Sequence, residues 1–281
     1  MTKFQERIKE RVPPSIWDAA RSTWYGLYRT AQWPAATFHP WRRSSIDVLG
    51  KYKDAHIGER CFIIGNGPSL KATDLSRLHG EFTFGMNRIY LLFPELGFMT
   101  SYYLSVNDLV IEQCAQDIVS LQVPKFLSWR ARDFIQAALD NGKSLPAEPP
   151  TAFLHTTYTG PKFAHDARNR LWEGATVTYV ALQLAFHMGF RQVILIGVDH
   201  NFSTKGKPNT TVVSQGEDQD HFDVNYFGKG FRWQLPDLET SERAFHMARQ
   251  NYAAENREVL DATIGGKLTV FPKIEYEGLF N

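Results

Sequence analysis

The sequence predicts an α/β protein: a single Rossmann-like domain on a mostly parallel sheet, with helices on both faces. Three observations predict it. From residue 60 onward, short apolar runs alternate with helix-like segments, the order expected when helical crossovers join parallel strands. Two of these runs, residues 61–64 and 193–196, are apolar without a polar alternation, as strands buried on both faces must be. Each passes straight into a glycine, Gly65 or Gly197, where the chain leaves the sheet. An N-terminal helical extension over 1–50, a main domain over 51–281 and a flexible lid over about 203–235 complete the expected organisation.

In chain order, the first strand opens onto Gly65-Asn66-Gly67-Pro68-Ser69. Gly65 and Gly67 are expected to use backbone angles closed to other residues and to let the main chain approach a ligand. Pro68 and Ser69 suit the start of a helix over 69–78, whose unpaired amides favour an anion. That order of parts fits a nucleotide phosphate, and an ordinary strand-to-helix turn is the alternative. The motif lacks both the lysine-serine pair of a P-loop and the third glycine of a dinucleotide fingerprint. A second strand, 82–86, ends at Asn87. A third, 102–106, ends in Asn107-Asp108, which suits the cap of a helix to about residue 121. Residues 124–129 read as a further strand and 140–150, rich in proline and polar residues, as a surface loop.

A helix from Thr176 to about residue 187 stops at Gly189, a natural C-cap. The strand 192–196 follows and delivers Gly197-Val198-Asp199 to the carboxyl edge of the sheet, where ligands of open α/β folds sit. Asp199 is placed to bind a ribose hydroxyl, hold a magnesium ion or orient a base; capping a turn is its plainer role. A helix over 239–255 and a strand over 258–262 come next, and the tail 268–280 is expected to add an edge strand interrupted by Pro272.

Between these elements, residues 203–235 form a polar, glycine-containing stretch too long for a simple connection, as active-site lids often are. His221 lies there between Asp220 and Asp223, and an adjacent carboxylate can orient an imidazole for proton abstraction. It is the candidate general base, against the plainer reading of a solvated surface histidine. Lys229 and Arg232 are candidates to neutralise a phosphate, or are simply solvated.

Composition narrows the partners. A net charge of +1 over 281 residues gives no basic excess for nucleic acid. Two cysteines, Cys61 and Cys114, suggest neither a disulfide framework nor a thiolate metal site, which fits a reducing cytoplasm. No run approaches the about eighteen apolar residues that span a bilayer, and no signal peptide is expected. The first fifty residues hold four of the seven tryptophans, and eight Lys or Arg against four Asp or Glu. Ile16, Ala20, Trp24, Leu27 and Ala31 recur there at helical spacing. Such a helix suits peripheral contact with an anionic membrane, or packing on the domain or on a second copy in a homo-oligomer.

The segment from Gly65 to Lys71, with Asp74, Ser76-Arg77-Leu78 and Asn87 after the second strand, resembles bacterial sialyltransferases of glycosyltransferase family 42. The block from Ala181 to Gly197-Val198-Asp199 is similar to that family's second motif, in the same order. The pattern also resembles the wider 6-hydroxymethylpterin diphosphokinase-like group, which includes flagellin-modifying glycosyltransferases. The first resemblance implies a nucleotide-activated sugar, most closely a CMP-linked sialic-acid-like donor. The sugar would pass with inversion to a glycan or other hydroxyl acceptor, without a required metal or cofactor. It implies nucleotide contacts at Asn66 and Asn87 and a lid histidine as base. The family's tyrosines after the Gly-hydrophobic-Asp motif, which stabilise the departing phosphate, have no counterpart in 201–205, so Tyr226, Lys229 or Arg232 would have to serve. The second resemblance implies instead a magnesium-dependent pyrophosphokinase, with the ion near Asp199 or Asp108. A nucleotide-binding protein without catalysis is the third alternative.

Overall fold

The computed structural model describes residue 23 and residues 33–139, 145–158 and 160–280. The chain divides into two compact units, Met1–Arg43 and Ser44–Asn281. In the first, residues 33–38 are helical and Trp33 meets Phe38 edge to face at 6.0 Å. The amphipathic helix expected over 16–31 lies almost wholly outside the described residues.

The second unit is built on eight parallel strands: β1 (Arg60–Ile64), β2 (Phe82–Met86), β3 (Tyr102–Ser105), β4 (Lys125–Ser128), β5 (Thr151–Thr157), β6 (Arg170–Trp172), β7 (Gln192–Ile196) and β10 (Glu258–Asp261). Their spatial order is β10-β7-β1-β2-β3-β4-β5-β6. The chain therefore walks outward from β1 to β6 and then returns to the other side of β1. That reversal makes the gap between β1 and β7 the switch point of the sheet, outside whose carboxyl ends such folds bind ligands. Register keeps those ends level, because Ile64 pairs with Gly85 of β2 on one side and Ile196 of β7 on the other.

Burial explains the unbroken apolar runs. Cys61 and Ile63 face a core shared with Phe84, Leu104 and Leu195. Phe62 and Ile64 are equally buried on the opposite face, where Phe62 stacks on Phe280 at 5.8 Å. Helix α5 (Val177–His187) covers the first face and is buried nearly all round, so its sequence is apolar rather than striped. Helix α6 (Leu238–Ala254) packs on it through Ala244, Ala248 and Tyr252, spaced four apart along one face. The described residues also form helices α1 (Pro40–Tyr52), α2 (Phe93–Leu96), α3 (Asp108–Ser120) and α4 (Arg132–Ala138). The cysteines are separate, buried thiols. Among the described residues no helix is long and apolar enough to cross a membrane.

Two expectations need correction, and two regions carry elements that no expectation covered. The helix expected over 69–78 is two short 3-10 segments, Pro68–Ala72 and Leu75–Leu78. Thr73 is extended between them, and Asp74 restarts the turn by accepting from the Ser76 amide. The tail adds no strand: its one β-bridge to the sheet is Asp261 to Lys273, with the Pro272 carbonyl accepting from the Asp261 amide at 2.9 Å. Residues 132–172 carry α4, β5 and β6, none of them expected. The lid is not structureless, since β8 (Thr211–Val213) and β9 (Arg232–Gln234) pair as an antiparallel ribbon within it.

Candidate functional site

At the carboxyl edge, the loops after β1 and β7 are locked together. The Gly65 amide donates to the Ile196 carbonyl at 2.7 Å, and the Gly67 amide to the Gly197 carbonyl at 2.9 Å. A Cβ on Gly65 would lie 2.1 Å from the Gly197 oxygen, and one on Gly67 would lie 1.7 Å from Oδ2 of Asp199. Gly67 has φ −71°, a value open to any residue, and Gly65 is not among the positive-φ glycines. These two glycines are required for space rather than for unusual angles, which corrects the expectation. Gly197 does need its freedom, with φ 65°.

The charge at the start of the 3-10 turn is supplied from within. Asp199 accepts from the Ser69 hydroxyl at 2.7 Å and from the Ser69 amide at 3.2 Å. Burial raises its carboxyl above the ordinary value, against the bonds from Ser69, which favour the ionised form. Nearby, the Thr263 hydroxyl accepts from the Val198 amide at 3.2 Å and ties the end of β10 to the same turn.

Above these loops lies a cavity of about 270 Å³. Of the residues singled out from sequence, Gly65, Asn66, Gly67, Asn87, Asn107, Thr176, Gly197, Asp199, His221 and Tyr226 line it. Pro68, Ser69, Asp108, Lys229 and Arg232 do not. Its wall concentrates backbone strain. Six described non-glycine residues have positive φ, and four of them, Asn87, Ala175, His200 and Asn209, line this one cavity. Such conformations cost about 1–3 kcal/mol each and gather at functional sites. Asn87 is over-determined in its strained state: its amide donates to Leu104, its carbonyl accepts from Tyr103 and its Oδ1 accepts from Ser105. Among the described residues Asn66 Oδ1 is buried without a partner, the kind of atom a ligand donor would satisfy.

The far wall is capped and charged. Asn107 caps α3 by accepting from the Leu109 and Val110 amides, and Thr176 caps α5 by accepting from the Thr178 amide. Asp108 is turned to Arg130, which also binds Glu173 at 2.6 Å. Burial raises the Glu173 carboxyl despite that guanidinium. Arg130 is thus occupied by carboxylates and does not line the cavity.

The lid closes the remaining side. The Phe222 amide donates to the Asn66 carbonyl at 2.9 Å, seating the lid on the first loop. His221 Nδ1 lies 2.9 Å from Asp218, three residues earlier, and its ring stacks on Tyr226 at 4.0 Å and 4°. The expected neighbours are otherwise engaged: Asp220 accepts from the Ser203 amide and from Thr204, and Asp223 from the Asn225 amide. Flanking positions in an irregular turn do not predict which carboxylate reaches the ring. Tyr226 is buried, its hydroxyl accepts from the Arg88 amide, and burial raises its pKa. Arg232 pairs with Glu112 at 2.9 Å on α3, and Lys229 is exposed. Neither cation reaches the cavity in this conformation.

Sequence reasoning missed several wall residues. His200 follows Asp199 directly and pairs with Glu242 of α6, Nε2 to Oε1, at 3.0 Å. Only its place after the Gly-hydrophobic-Asp run hinted at a role. Glu173, Trp233 and Ser241 also line the cavity, brought from separate elements that nothing in their local sequence connects.

No protein-family model and no curated protein matches the chain. A solved structure, that of the MAf glycosyltransferase from Magnetospirillum magneticum AMB-1, is similar over 89% of this chain and 40% of that one. Sequence identity is 14% and the TM-score 0.46. The chain thus spans less than half the length of that protein.

Proposed function

We propose that the chain is a glycosyltransferase. It takes a nucleotide-activated sugar, a CMP-linked sialic-acid-like donor, at the edge between β1 and β7, and transfers the sugar with inversion to a glycan hydroxyl. One observation carries the reading. His221 sits on the lid over the cavity, its Nδ1 held by Asp218, and its Nε2 has no partner among the described residues.

Inverting displacement needs a base at the acceptor hydroxyl and charge stabilisation of the nucleotide leaving from the opposite face. Nε2 of His221 takes the acceptor proton as the oxygen attacks the anomeric carbon. Asp218 fixes the tautomer with Nδ1 protonated and stabilises the imidazolium that forms. Tyr226, held as a phenol by burial, sets the plane of the ring by stacking. The turn Gly65-Asn66-Gly67, with Asn87 and Asn107, receives the nucleotide, and the Asn66 oxygen, unpartnered among the described residues, is one acceptor. The reading calls for no resident metal or cofactor.

A thermal-shift screen of CMP, CDP, UDP, GDP, ATP and GTP, each with and without magnesium, tests the donor, and stabilisation by CMP without magnesium is expected. His221→Ala is expected to lower turnover by about 10²-fold or more while nucleotide binding persists, the usual loss of a general base. Unchanged turnover would sink the assignment. The pyrophosphokinase reading places magnesium near Asp199 or Asp108, whose oxygens already accept from Ser69 and Arg130. No observation favours it, and abolition of turnover by a chelator would reverse that preference.

A further inference from the structure

We infer that His200 is a second catalytic histidine, the group that holds the departing nucleotide phosphate; the inference rests on the transferase reading above. A phosphate leaving from this cavity is best held by a charged donor, yet no lysine or arginine is among the described residues that line it. Lys229 and Arg232, the cations expected to serve, lie outside. His200 and His221 are the two side chains of that wall able to carry a positive charge, and His221 is already assigned to the acceptor.

His200 is built for a fixed position. It stands at the carboxyl end of β7, next to Asp199, with φ 54°, and its side chain is 8% exposed. Phe245 meets the ring edge to face at 6.2 Å. Glu242 engages Nε2, which leaves Nδ1 as the remaining polar atom of the ring. Glu242 thus holds the ring from one side and leaves Nδ1 on the other. The two histidines divide the work, one in the loop after β7 and one on the lid.

The step balances without another reactant. The acceptor oxygen bonds to the anomeric carbon and yields its proton to Nε2 of His221. The bond from that carbon to the phosphate oxygen breaks, and the electron pair stays on the oxygen. His200, as imidazolium, donates a hydrogen bond from Nδ1 to that oxygen while Glu242 accepts from Nε2.

The test compares nucleotide with nucleoside binding. Dissociation constants of CMP, UDP and GDP and of cytidine, uridine and guanosine are measured by calorimetry for wild type, His200→Asn and Glu242→Gln. Asparagine tolerates the left-handed backbone, and Glu242 is 52% exposed, so its replacement keeps the fold. His200→Asn is expected to weaken the nucleotide about tenfold or more, as for loss of a charge-assisted hydrogen bond, and to leave the nucleoside unchanged. Glu242→Gln is expected to act in the same direction by a smaller factor. If both variants weaken nucleotide and nucleoside alike, or neither, the inference falls and the transferase reading stands. If wild type binds none of the six, both fall together.

Discussion

The loops after β1 and β7 and the lid over 203–235 enclose the same cavity by opposite means. The loops are held backbone to backbone, with glycines where a single Cβ would collide, so their geometry is set by sterics. The lid is held by side chains. Phe227 stacks on Phe231 at 4.8 Å and on Trp233 at 5.4 Å, and Arg88 donates to the Asn225 and Tyr226 carbonyls with its guanidinium near the Phe231 ring. Few main-chain bonds tie it to the sheet. A frame fixed by main-chain sterics and a cover held by side chains differ in what a single substitution can loosen.

The largest effect expected from breaking this contrast is at Gly65. Gly65→Ala sets its Cβ against the Gly197 main chain, which has nowhere to move, and should cost about 3 kcal/mol or more in urea unfolding. A loss below about 1 kcal/mol would mean that the frame is softer than its geometry. Next in size is the lid latch. Arg88→Ala removes charge-assisted bonds worth about 1.5–3 kcal/mol, so amides over 221–231 should exchange about tenfold or more faster while those of β1 and β7 hold their protection. Equal acceleration in both regions would erase the distinction.

Acid offers the finest probe. Burial opposes the charge of Asp220, but hydrogen bonds from Ser203 and Thr204 outweigh it and lower its pKa. Its contribution is present above the ordinary carboxylate value and is lost as pH falls below it. Asp199 is raised by burial, so its cost appears as pH rises through that range and disappears in acid. Proteolysis should therefore open the lid at a pH where the frame is intact, and Asp220→Asn should remove the pH dependence of that opening. A lid that opens at the same pH in Asp220→Asn would contradict it.

The legible parts of the molecule follow the same division. β1, β2, β3 and β7 are legible because buried parallel strands favour apolar runs, and each of these runs meets a glycine or asparagine where the chain turns; β4 and β10 show only short apolar centres. Gly65, Gly67, Asn87 and Gly197 could be found for that reason. β5 is hard to read although Thr151-Ala152-Phe153-Leu154 carries the β-branched and apolar pattern, since the preceding proline-rich loop masks where regular structure resumes. The lid's ribbon was hidden because β8 and β9 are three residues each, with no run long enough to show a period.

By itself the sequence determined the parallel α/β class, the edge of the sheet where the cavity lies and the lid that covers it, because burial and turn sterics act on neighbouring residues. Only the tertiary structure decided that Asp218 rather than Asp220 or Asp223 holds His221. The same is true of Arg232 spending its charge on Glu112, and of His200 meeting Glu242 across 42 positions of chain. Such pairings depend on which side chains the folded sheet brings within hydrogen-bond reach, and no local pattern encodes that distance.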